Sequence, residues 1–406
     1  MQTKNDGKSF VPTRLTLVAM LLASMLMLMG GAAVAPALPL INEAFPGQDF
    51  AVSLVITLPS LAVGLLGLVI GSLADKFGKV RTLCAALVLF TIAGVASFFL
   101  EDLMVILVMR FLVGVGIAGI SAAVTALMAE YYTGVSRVKV LSYQSAAMGL
   151  GVLILEYTGG SLAAFSWHEP FLVYLIGIPI LLLCIASMRE PSREPVREET
   201  PTERPAKKAN TRLIVICYVA IFVCQTMSFL LPTKMPTFLE DPELPGHLSA
   251  SVVGLFLGVN GISNAVMALF YRRLADRIRP FMIMGAGFLI MGVGMVIIMT
   301  HPAVVTAFFT MVLAGLGIGM ICPAVTNVLA GEATGSTSGK IMGGYSTFLN
   351  FGQFSISLVS VPLLAAVNDS ISDLFGVMGA LAVVVAALFI LYCAKDRRFS
   401  STGLGA

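Results

Sequence analysis

The most regular feature of this chain is a series of long apolar runs separated by short polar segments. Residues 52–70, for example, contain no charged side chain at all. The apolar positions are continuous and do not alternate, which favours helices over barrel strands, and a membrane-spanning helix needs about 20 such residues. The runs that qualify are residues 15–40, 51–71, 82–100, 103–129, 138–163, 170–188, 212–236, 249–270, 281–299, 303–329, 340–366 and 371–393. The pattern predicts an all-α polytopic membrane protein with twelve spans.

Composition agrees with this prediction. Of the 406 residues, 58% are hydrophobic and 12% are charged, and the mean hydropathy is +0.95, so little chain remains for a soluble domain. The first run is far longer than the roughly 7 to 15 apolar residues of a signal peptide, so we expect it to be retained as a span. The six cysteines lie in apolar runs without a C-x-x-C pair, which predicts neither disulfides nor a metal site.

Positive charge is distributed very unevenly, although the formal net charge is only +3. If the N-terminus lies inside, the twelve spans place 23 of the 25 lysines and arginines on the inner side. Arg110 and Lys234 are the exceptions. Because cytoplasmic loops carry an excess of lysine and arginine, this distribution predicts a protein of the cytoplasmic (inner) membrane with both termini in the cytoplasm.

The longest inner connection, residues 189–212, is rich in proline, glutamate, arginine and lysine. Such a segment cannot bury a core, so a flexible tether is favoured over a regulatory or partner-binding segment. The chain is therefore expected to divide into an N-terminal bundle of six spans (1–188), a cytoplasmic linker (189–211) and a C-terminal bundle of six spans (212–406).

The two halves share features at a constant offset of 201 residues (276 minus 75). This offset pairs Asp75 with Asp276, each of which lies among basic residues after an apolar run. The same offset pairs glycines in three spans: Gly114 with Gly315, Gly116 with Gly317, and Gly151 with Gly352. The coincidence predicts an internal duplication, as in transporters whose substrate site lies between two repeats.

Two stretches resemble signature motifs of the major facilitator superfamily: GSLADKFGKVR (71–81), and Arg110 followed by FLVGVGIAG (111–119). LADRIRP (274–280) is similar to a partial copy of the first. The resemblance covers nearly the whole chain and implies two pseudo-symmetric six-helix bundles. In this family the acidic loop residue is thought to latch the two halves together at the start of span 11. The latch residues implied here are Gly71, Asp75, Lys76, Gly78, Lys79, Arg81, Asp276 and Lys340.

The physics of such a latch is simple. A positive helix N-terminus and nearby cations stabilise an aspartate, and breaking those contacts would let one half rock against the other. The alternative interpretation of Asp75 is a charged turn that only fixes topology.

Only Arg110 and Glu156 lie well inside the predicted spans, and a charge inside the membrane is costly enough to indicate function. Each lies about 7 or 8 residues from the outer end of its span, roughly 12 Å deep, so the two can be level. The 201-residue offset places Met311 and Ser357 at the equivalent positions, so the scaffold itself does not require these charges. We interpret Glu156 as a proton carrier whose distance from Arg110 controls loading and release. The alternative is a permanent structural ion pair.

Span 5 matches the drug/proton antiporter branch of this superfamily in part. The sequence GVLILEYTGG (151–160) keeps Gly151, Gly159 and Gly160 of the Gly-x-x-x-Gly-Pro-x-x-Gly-Gly motif found in that branch. Leu155 and Glu156 replace its Gly-Pro pair, and without the proline the expected kink is not assured. The resemblance therefore implies an exporter, with export and import both open.

By the same resemblance, spans 1, 4, 7 and 10 line the substrate cavity. Lys234 either extends its apolar stem to the interface or points into the cavity and binds an anion. Pro232 and Pro236 predict a broken outer end for span 7, as Pro36 and Pro39 do for span 1. Polar contacts between helices are the commoner use of intramembrane polar residues. The candidate cavity residues are Gln225, Thr226, Lys234, Asn260, Asn264, Thr326, Asn327, Asn350 and Gln353.

The sequence lacks the residues that characterise other classes of protein. The segment GSTSGKI (335–341) is one residue too short for a P-loop and lacks a Ser or Thr after its lysine, and the three histidines fall in outer loops. No nucleophile, base or metal set converges. The sequence thus predicts no enzyme, no cofactor, no metal and no nucleic-acid partner.

We expect a monomeric, proton-coupled secondary carrier that works in the lipid bilayer. Its substrates are expected to be amphipathic or drug-like small molecules, exported by alternating access. One alternative is a proton-coupled or exchange-type importer of a small organic anion, with Arg110 and Lys234 binding the charge. A membrane scaffold or sensor that transports nothing is the other.

Overall fold

The computed structural model describes residues 12–191, 210–333 and 338–395, and these residues form helices and no strands. By length and composition, twelve of the helices can cross a membrane, which confirms the twelve predicted spans. Their bounds are α1 Arg14–Ala44, α2 Asp49–Phe77, α3 Lys79–Phe99, α4 Leu103–Tyr131, α5 Gly134–Ala163, α6 Glu169–Ser187, α7 Thr211–Glu240, α8 Ala250–Ala275, α9 Pro280–Thr300, α10 Val304–Glu332, α11 Ser338–Ala366 and α12 Ile371–Lys395. Most of the predicted linker, residues 192–209, lies outside the described ranges. We call the side that holds Arg14 and Lys395 the inner side.

The predicted spans 51–71 and 82–100 leave residues 72–81 as an inner connection, but most of this charged stretch is helical. Helix α2 continues through Asp75 to Phe77, and α3 begins at Lys79. Gly78 alone makes the turn, with a φ of 110° that L side chains rarely adopt. At 29 residues, α2 is about 44 Å long, well beyond the roughly 30 Å of hydrocarbon, so its last turns lie in the polar region while remaining helical.

Helix α1 is broken, as its prolines predict. It consists of an α-helix over Arg14–Met25, a 3₁₀ turn over Leu26–Leu28, a short α-turn, a second 3₁₀ turn over Ala35–Ala37 that contains Pro36, and a final helix over Leu38–Ala44. Helix α7, in contrast, is continuous over Thr211–Glu240 with Pro232 and Pro236 inside it. The predicted break in span 7 is therefore wrong, since prolines are tolerated in membrane helices where neighbouring groups satisfy the freed carbonyls.

The two halves repeat the same helix contacts, so the six-helix bundles are pseudo-symmetric. A β-carbon at Gly114 of α4 would collide with the carbonyl of Pro59 in α2. A β-carbon at Gly315 of α10 would collide with the carbonyl of Asn260 in α8, which is Pro59 plus 201. The glycines thus allow the same close packing of helices in each bundle.

The halves meet on the outer side. Helices α5 and α8 touch at their outer ends, where a β-carbon at Gly160 would collide with the carbonyl of Ala250. Helices α2 and α11 are joined by two hydrogen bonds between side chains. Thr57 and Ser357 share one at 2.6 Å, and the Ser60 hydroxyl donates to Gln353 Oε1 at 2.7 Å.

The inner ends of the two halves are apart at the predicted latch. The Asp75 side chain is 72% exposed, and its ion-pair partner is Lys79 in its own half. Lys340, in the first turn of α11, is exposed. Among the described atoms, none beyond its chain neighbours lies within 4 Å of a β-carbon at Gly339. The predicted latch is therefore not formed in this structure, although α2 and α11 still touch nearby, where a β-carbon at Gly343 would collide with Leu68.

Candidate functional site

Arg110 lies in α4, is fully buried, and is bound on three sides. Its Nε donates to the carbonyl of Val55 at 2.7 Å, its Nη1 donates to the Tyr174 hydroxyl at 2.6 Å, and its Nη2 donates to the carbonyl of Gly30. The guanidinium also lies 5.9 Å from the ring centre of Phe171. Arg110 therefore ties together α1, α2 and α6.

Both carbonyls bound by Arg110 lack their usual helical donor. The Val55 carbonyl would accept from residue 59, but Pro59 has no N–H. The Gly30 carbonyl would accept from Val34, but in the broken part of α1 the Val34 N–H donates to the following carbonyl, at 3.1 Å. A buried carbonyl without a donor costs about 1 to 3 kcal/mol. Arg110 offsets this cost at two irregular points of the backbone.

Tyr174 extends this network. Its hydroxyl accepts from Arg110 and donates to the carbonyl of Met29, the residue before Gly30, at 3.3 Å. The ring packs against Gly94 of α3, where a β-carbon would overlap it. The phenol thus holds both the guanidinium and the broken part of α1.

The second half has different residues at all three equivalent positions of this network. At the 201-residue offset, the counterparts of the proline, the arginine and the tyrosine are Asn260, Met311 and Phe375. Asn260 has a backbone N–H, so its helix keeps the carbonyl bond that the proline removes. The arginine is accordingly present where the backbone is irregular and absent where it is regular, which makes Arg110 a positioning residue for α1 and α2.

Glu156 lies at the closest approach of α5 to α8. It is 6% exposed, and a β-carbon at Gly254 of α8 would collide with the Glu156 carbonyl. Within the described residues its carboxyl forms no hydrogen bond or ion pair, and Oε2 is sealed from solvent without a partner. The structure does not bring Arg110 and Glu156 together, so the alternative of a permanent ion pair between them is wrong for this conformation. Equal depth did not place them on facing sides of their helices.

The predicted latch residues of the first half form a cluster within that half. Lys79 pairs with Asp75 at 3.6 Å and also with Glu130 at the inner end of α4. The Glu190 carboxylate, just after α6, accepts from the backbone N–H of Val80 at 3.1 Å and so caps the start of α3. Glu130 and Glu190 were not predicted. Their signal in the sequence is an acidic residue at the inner end of a span.

The other latch candidates contribute less. Gly71 lies against α4, with a β-carbon position 4.0 Å from Ala122. The Lys76 ammonium lies 5.8 Å from the ring centre of Phe77. Arg81 and Asp276 are exposed, and the structure does not place Asp276 in an ion pair with any described residue.

Five of the predicted cavity residues are engaged in contacts within or between helices. The Thr226 and Ser355 hydroxyls share a hydrogen bond at 2.7 Å, and Gln353 accepts one from Ser60. Three side chains donate to backbone carbonyls: Asn260 to Met311 at 3.1 Å, Asn350 to Ser346 at 2.8 Å, and Thr326 to Cys322 at 3.1 Å. Gln353 joins the two halves, and Thr226 joins α7 to α11. Thr226, Asn260 and Gln353 therefore hold helices together, whereas Thr326 and Asn350 bond within their own helices.

The remaining cavity candidates have more freedom. Asn327 is exposed and donates to the Tyr271 hydroxyl at 3.3 Å. Gln225 is buried and Asn264 half-buried, and neither side chain has a hydrogen bond to a described residue. Gln225 and Asn264 therefore keep polar groups that no described residue uses, whereas Asn327 joins α10 to α8.

Lys234 is 9% exposed, so it does not extend to the solvent as one alternative proposed. Within the described ranges its ammonium forms no hydrogen bond or ion pair. Its electrostatic partner is Asp49 at the start of α2, across the boundary between the halves. The Asn42 amide donates to the same Asp49 carboxylate at 2.9 Å.

His168 lies in the outer loop before α6 and stacks on Trp167 with ring centres 3.5 Å apart. Burial lowers the pKa of His168 below its ordinary value, although Glu101 and Glu169 act in the opposite direction. The ring is therefore neutral at pH 7 and remote from the buried charges. No set of three or more His, Cys, Asp or Glu residues in the described ranges could hold a metal ion.

The sequence model described as Major Facilitator Superfamily matches residues 20–246 and again 242–405, which together cover nearly the whole chain. The chain belongs to the major facilitator superfamily. Members of this superfamily are carriers and not enzymes, which confirms the prediction that this protein is not an enzyme.

Relatives within the major facilitator superfamily include two resistance proteins. The class C tetracycline resistance protein of Escherichia coli is 26% identical over 78% of this chain and 81% of its own. The quinolone resistance protein NorA of Staphylococcus aureus is 22% identical over 81% of this chain and 83% of its own. Among solved structures, the nucleoside transporter NupG has the same fold, with a TM-score of 0.76 and 12% identity over 92% of this chain and 99% of its own.

Two buried ionisable side chains of this major facilitator protein, neither with a hydrogen bond or ion pair to a described residue, lie at the boundary between the bundles. Glu156 lies where α5 crosses α8, and Lys234 lies where α7 faces the start of α2. Transporters built from repeats bind and release their cargo at this boundary. The candidate site is therefore the outer half of the boundary together with the polar groups of α7, α8 and α10.

Proposed function

We propose that this protein is a proton-coupled secondary carrier that exports amphipathic or drug-like small molecules by alternating access. The observation that carries the proposal is Glu156, a buried carboxyl without a partner at the boundary between the halves. Two relatives are named as tetracycline and quinolone resistance proteins, which supports a drug-like substrate. We also propose that it works as a monomer, with both termini in the cytoplasm and the division 1–188, 189–211 and 212–406.

The geometry supports a proton cycle at Glu156. An ionised carboxylate sealed without a partner costs several kcal/mol, on the order of 5, whereas an unbonded neutral acid costs about 1 to 3 kcal/mol. We therefore assign the neutral acid to this outer-closed conformation. When the outer side opens, α5 must part from α8, and water then reaches the carboxyl and exchanges its proton.

Arg110 takes part in coupling through the backbone. Its three hydrogen bonds fix the broken part of α1, and α1 must move with its bundle when the halves rock. Because the guanidinium is already bound to two carbonyls and a phenol, it is poorly placed to bind an anionic substrate. Gln225, Asn264 and Asn327 are proposed to contact the substrate.

The second candidate function is import of a small organic anion, with proton coupling or exchange. Lys234 favours it, because a buried ammonium without a bonded partner attracts a carboxylate. The engagement of Arg110 counts against it, since the two cations do not form one binding site.

Proton movement in proteoliposomes tests the proposed function. Purified protein is reconstituted with a pH-sensitive dye inside, and tetracycline or a quinolone antibiotic is added as the probe. An exporter that exchanges substrate for protons moves the two in opposite directions, and a proton-driven importer moves them in the same direction. A scaffold moves neither, and that result with both probes and with a panel of organic anions would reject the carrier.

A covalent link between Thr57 and Ser357 should stop transport. Their hydroxyls are 2.6 Å apart and belong to different halves, so a disulfide in the Thr57→Cys/Ser357→Cys variant holds the outer side closed. We expect turnover to fall at least tenfold, about 1.4 kcal/mol in barrier, on oxidation, and to recover on reduction. The single-cysteine variants serve as controls. Undiminished transport by the oxidised double variant would mean that α2 and α11 need not separate.

Asp75→Asn should slow turnover without changing substrate affinity. In the opposite conformation we propose that Asp75 meets the start of α11 near Lys340. A carboxylate at a helix N-terminus contributes about 0.3 to 1 kcal/mol, so the rate should fall about two- to fivefold. Stopped-flow transport and equilibrium binding of the same probe measure the two quantities. An unaltered rate would leave Asp75 with a role in topology only.

A further inference from the structure

The inner end of α8 and the turn that follows it carry a dense group of arginines that the carrier cycle does not use. Arg272, Arg273, Arg277 and Arg279 fall within eight residues, the first three exposed and the fourth half-buried. We propose that these arginines, here called the α8 arginine cluster, bind the headgroup phosphate of an anionic phospholipid of the inner leaflet.

No described residue neutralises the α8 arginine cluster. In the described part of the chain none of its four side chains forms an ion pair, and Asp276 within the same turn forms none either. The equivalent region of the first half behaves differently, because Lys79 is paired with both Asp75 and Glu130. Lys79 is therefore paired within its own half, whereas the four arginines of the cluster have no ion-pair partner among the described residues.

The duplication shows that the first two of these charges, Arg272 and Arg273, are not part of the common scaffold. At the 201-residue offset, Arg272 and Arg273 correspond to Gly71 and Ser72. The helix continues through both pairs, so the arginines are not needed to form or end it. Their addition to one half calls for a role that is specific to that half.

An exposed apolar stripe leads to the cluster along α8. Ile262, Val266 and Leu269 are 46%, 44% and 81% exposed, and at spacings of four and three residues they share one face that continues to Arg273. The Arg273 guanidinium lies 5.4 Å from the ring centre of Phe270, which is itself exposed. An acyl chain fits along the stripe, and the phosphate then reaches the guanidinium.

The chemistry favours a lipid phosphate over a free one. The guanidinium fork binds phosphate oxygens in a bidentate manner, and each basic residue near an anionic membrane surface strengthens the attraction about fivefold. A soluble phosphate would meet only the arginines, whereas a phospholipid also covers the apolar stripe. The proposal is independent of the transported substrate and of proton coupling.

Native mass spectrometry of the full chain in detergent, titrated with phosphatidylglycerol or phosphatidylcholine, tests the proposal. Two arginines at about fivefold each predict that Arg272→Gln/Arg273→Gln weakens phosphatidylglycerol binding at least tenfold. The matched control is Arg137→Gln/Lys139→Gln, which removes two exposed cations from the inner end of α5 and should change binding less than twofold. Phosphatidylcholine should bind weakly to all three proteins.

A charge-preserving variant tests the proposal even if the glutamine variant fails to fold. Arg272→Lys/Arg273→Lys should lose about threefold, because the charge remains and the bidentate fork is lost. An equal loss of phosphatidylglycerol binding in the α5 control would mean that the lipid responds only to the general positive charge of the inner face. That result would overturn the proposal. Full displacement of the lipid by millimolar inorganic phosphate would overturn it as well, since the site would then not be a lipid site.

Discussion

Glu156→Gln is expected to abolish the dependence of transport on the proton gradient while substrate binding is retained. The amide has the size of the neutral acid but cannot release a proton, so the halves can still close over it. Uptake driven by an imposed pH gradient should fall at least tenfold, since a positioned proton-transfer group contributes about a hundredfold or more. Binding of tetracycline or a quinolone, measured by thermal shift, should change little.

The matched control for this variant is Glu243→Gln, which removes an exposed carboxylate from an outer loop. It should leave gradient-driven uptake within a factor of two. If Glu156→Gln keeps full proton coupling, Glu156 is a structural residue at the contact between α5 and α8, and the proton must be carried elsewhere.

Arg110→Met is expected to be the most destabilising single substitution considered. Methionine is the residue at the equivalent position of the second half, but in the first half it would leave two carbonyls and the Tyr174 hydroxyl without their donor. Removing one partner from a buried charged network costs about 3 to 5 kcal/mol. Unfolding in a denaturing detergent titration measures the loss. Arg137→Met on the exposed inner end of α5 should stay within about 0.5 kcal/mol of the parent.

A second substitution separates the positioning role of Arg110 from a general loss of packing. Pro59→Ala restores the backbone N–H that the Val55 carbonyl lacks, so in the Arg110→Met background it should recover about 1 kcal/mol. In the parent protein the same change should stabilise less, because Arg110 already donates to that carbonyl. If Pro59→Ala changes stability by the same amount in both backgrounds, the proline and the arginine are not coupled and the explanation of the network is wrong.

The membrane architecture was predictable because it follows from the simplest physical constraint. A run of about 20 apolar residues has few alternatives to a spanning helix, and lysine and arginine distribution is read directly from the chain. The ends of the helices were less predictable. Asp75 and Lys76 looked like loop residues because they are charged, yet a helix continues past the hydrocarbon until a residue such as Gly78 ends it.

The buried charges were found from the sequence, but their partners were not. Arg110 and Glu156 stand out as charges within apolar runs, and the depth of each follows from the helical rise. Depth does not determine which way a side chain points, so it could not decide between a proton carrier and an ion pair. Pro59 was a usable signal, since a proline inside an apolar span predicts a carbonyl that needs another donor. Tyr174 gave no such signal.

The polar cavity residues show the limit of reading a single sequence. Thr226, Asn260 and Gln353 are of the same type as Gln225 and Asn264, yet the first three bind neighbouring helices. Which face of a helix meets a neighbour depends on how the bundle packs, and that arises from many contacts at once. The repeat offset was the stronger guide, because it matched contacts such as Gly114 with Pro59 and Gly315 with Asn260.

The central claim is that α8 covers Glu156 while the outer side is closed and uncovers it when that side opens. Labelling of Glu156 by a water-soluble carbodiimide added from the outer side, followed by peptide mass spectrometry, tests this directly. The protein with Thr57→Cys/Ser357→Cys is compared in its reduced and oxidised forms. We predict modification of Glu156 in the reduced, mobile form and protection in the oxidised, outer-closed form. Equal modification of both forms would contradict the account.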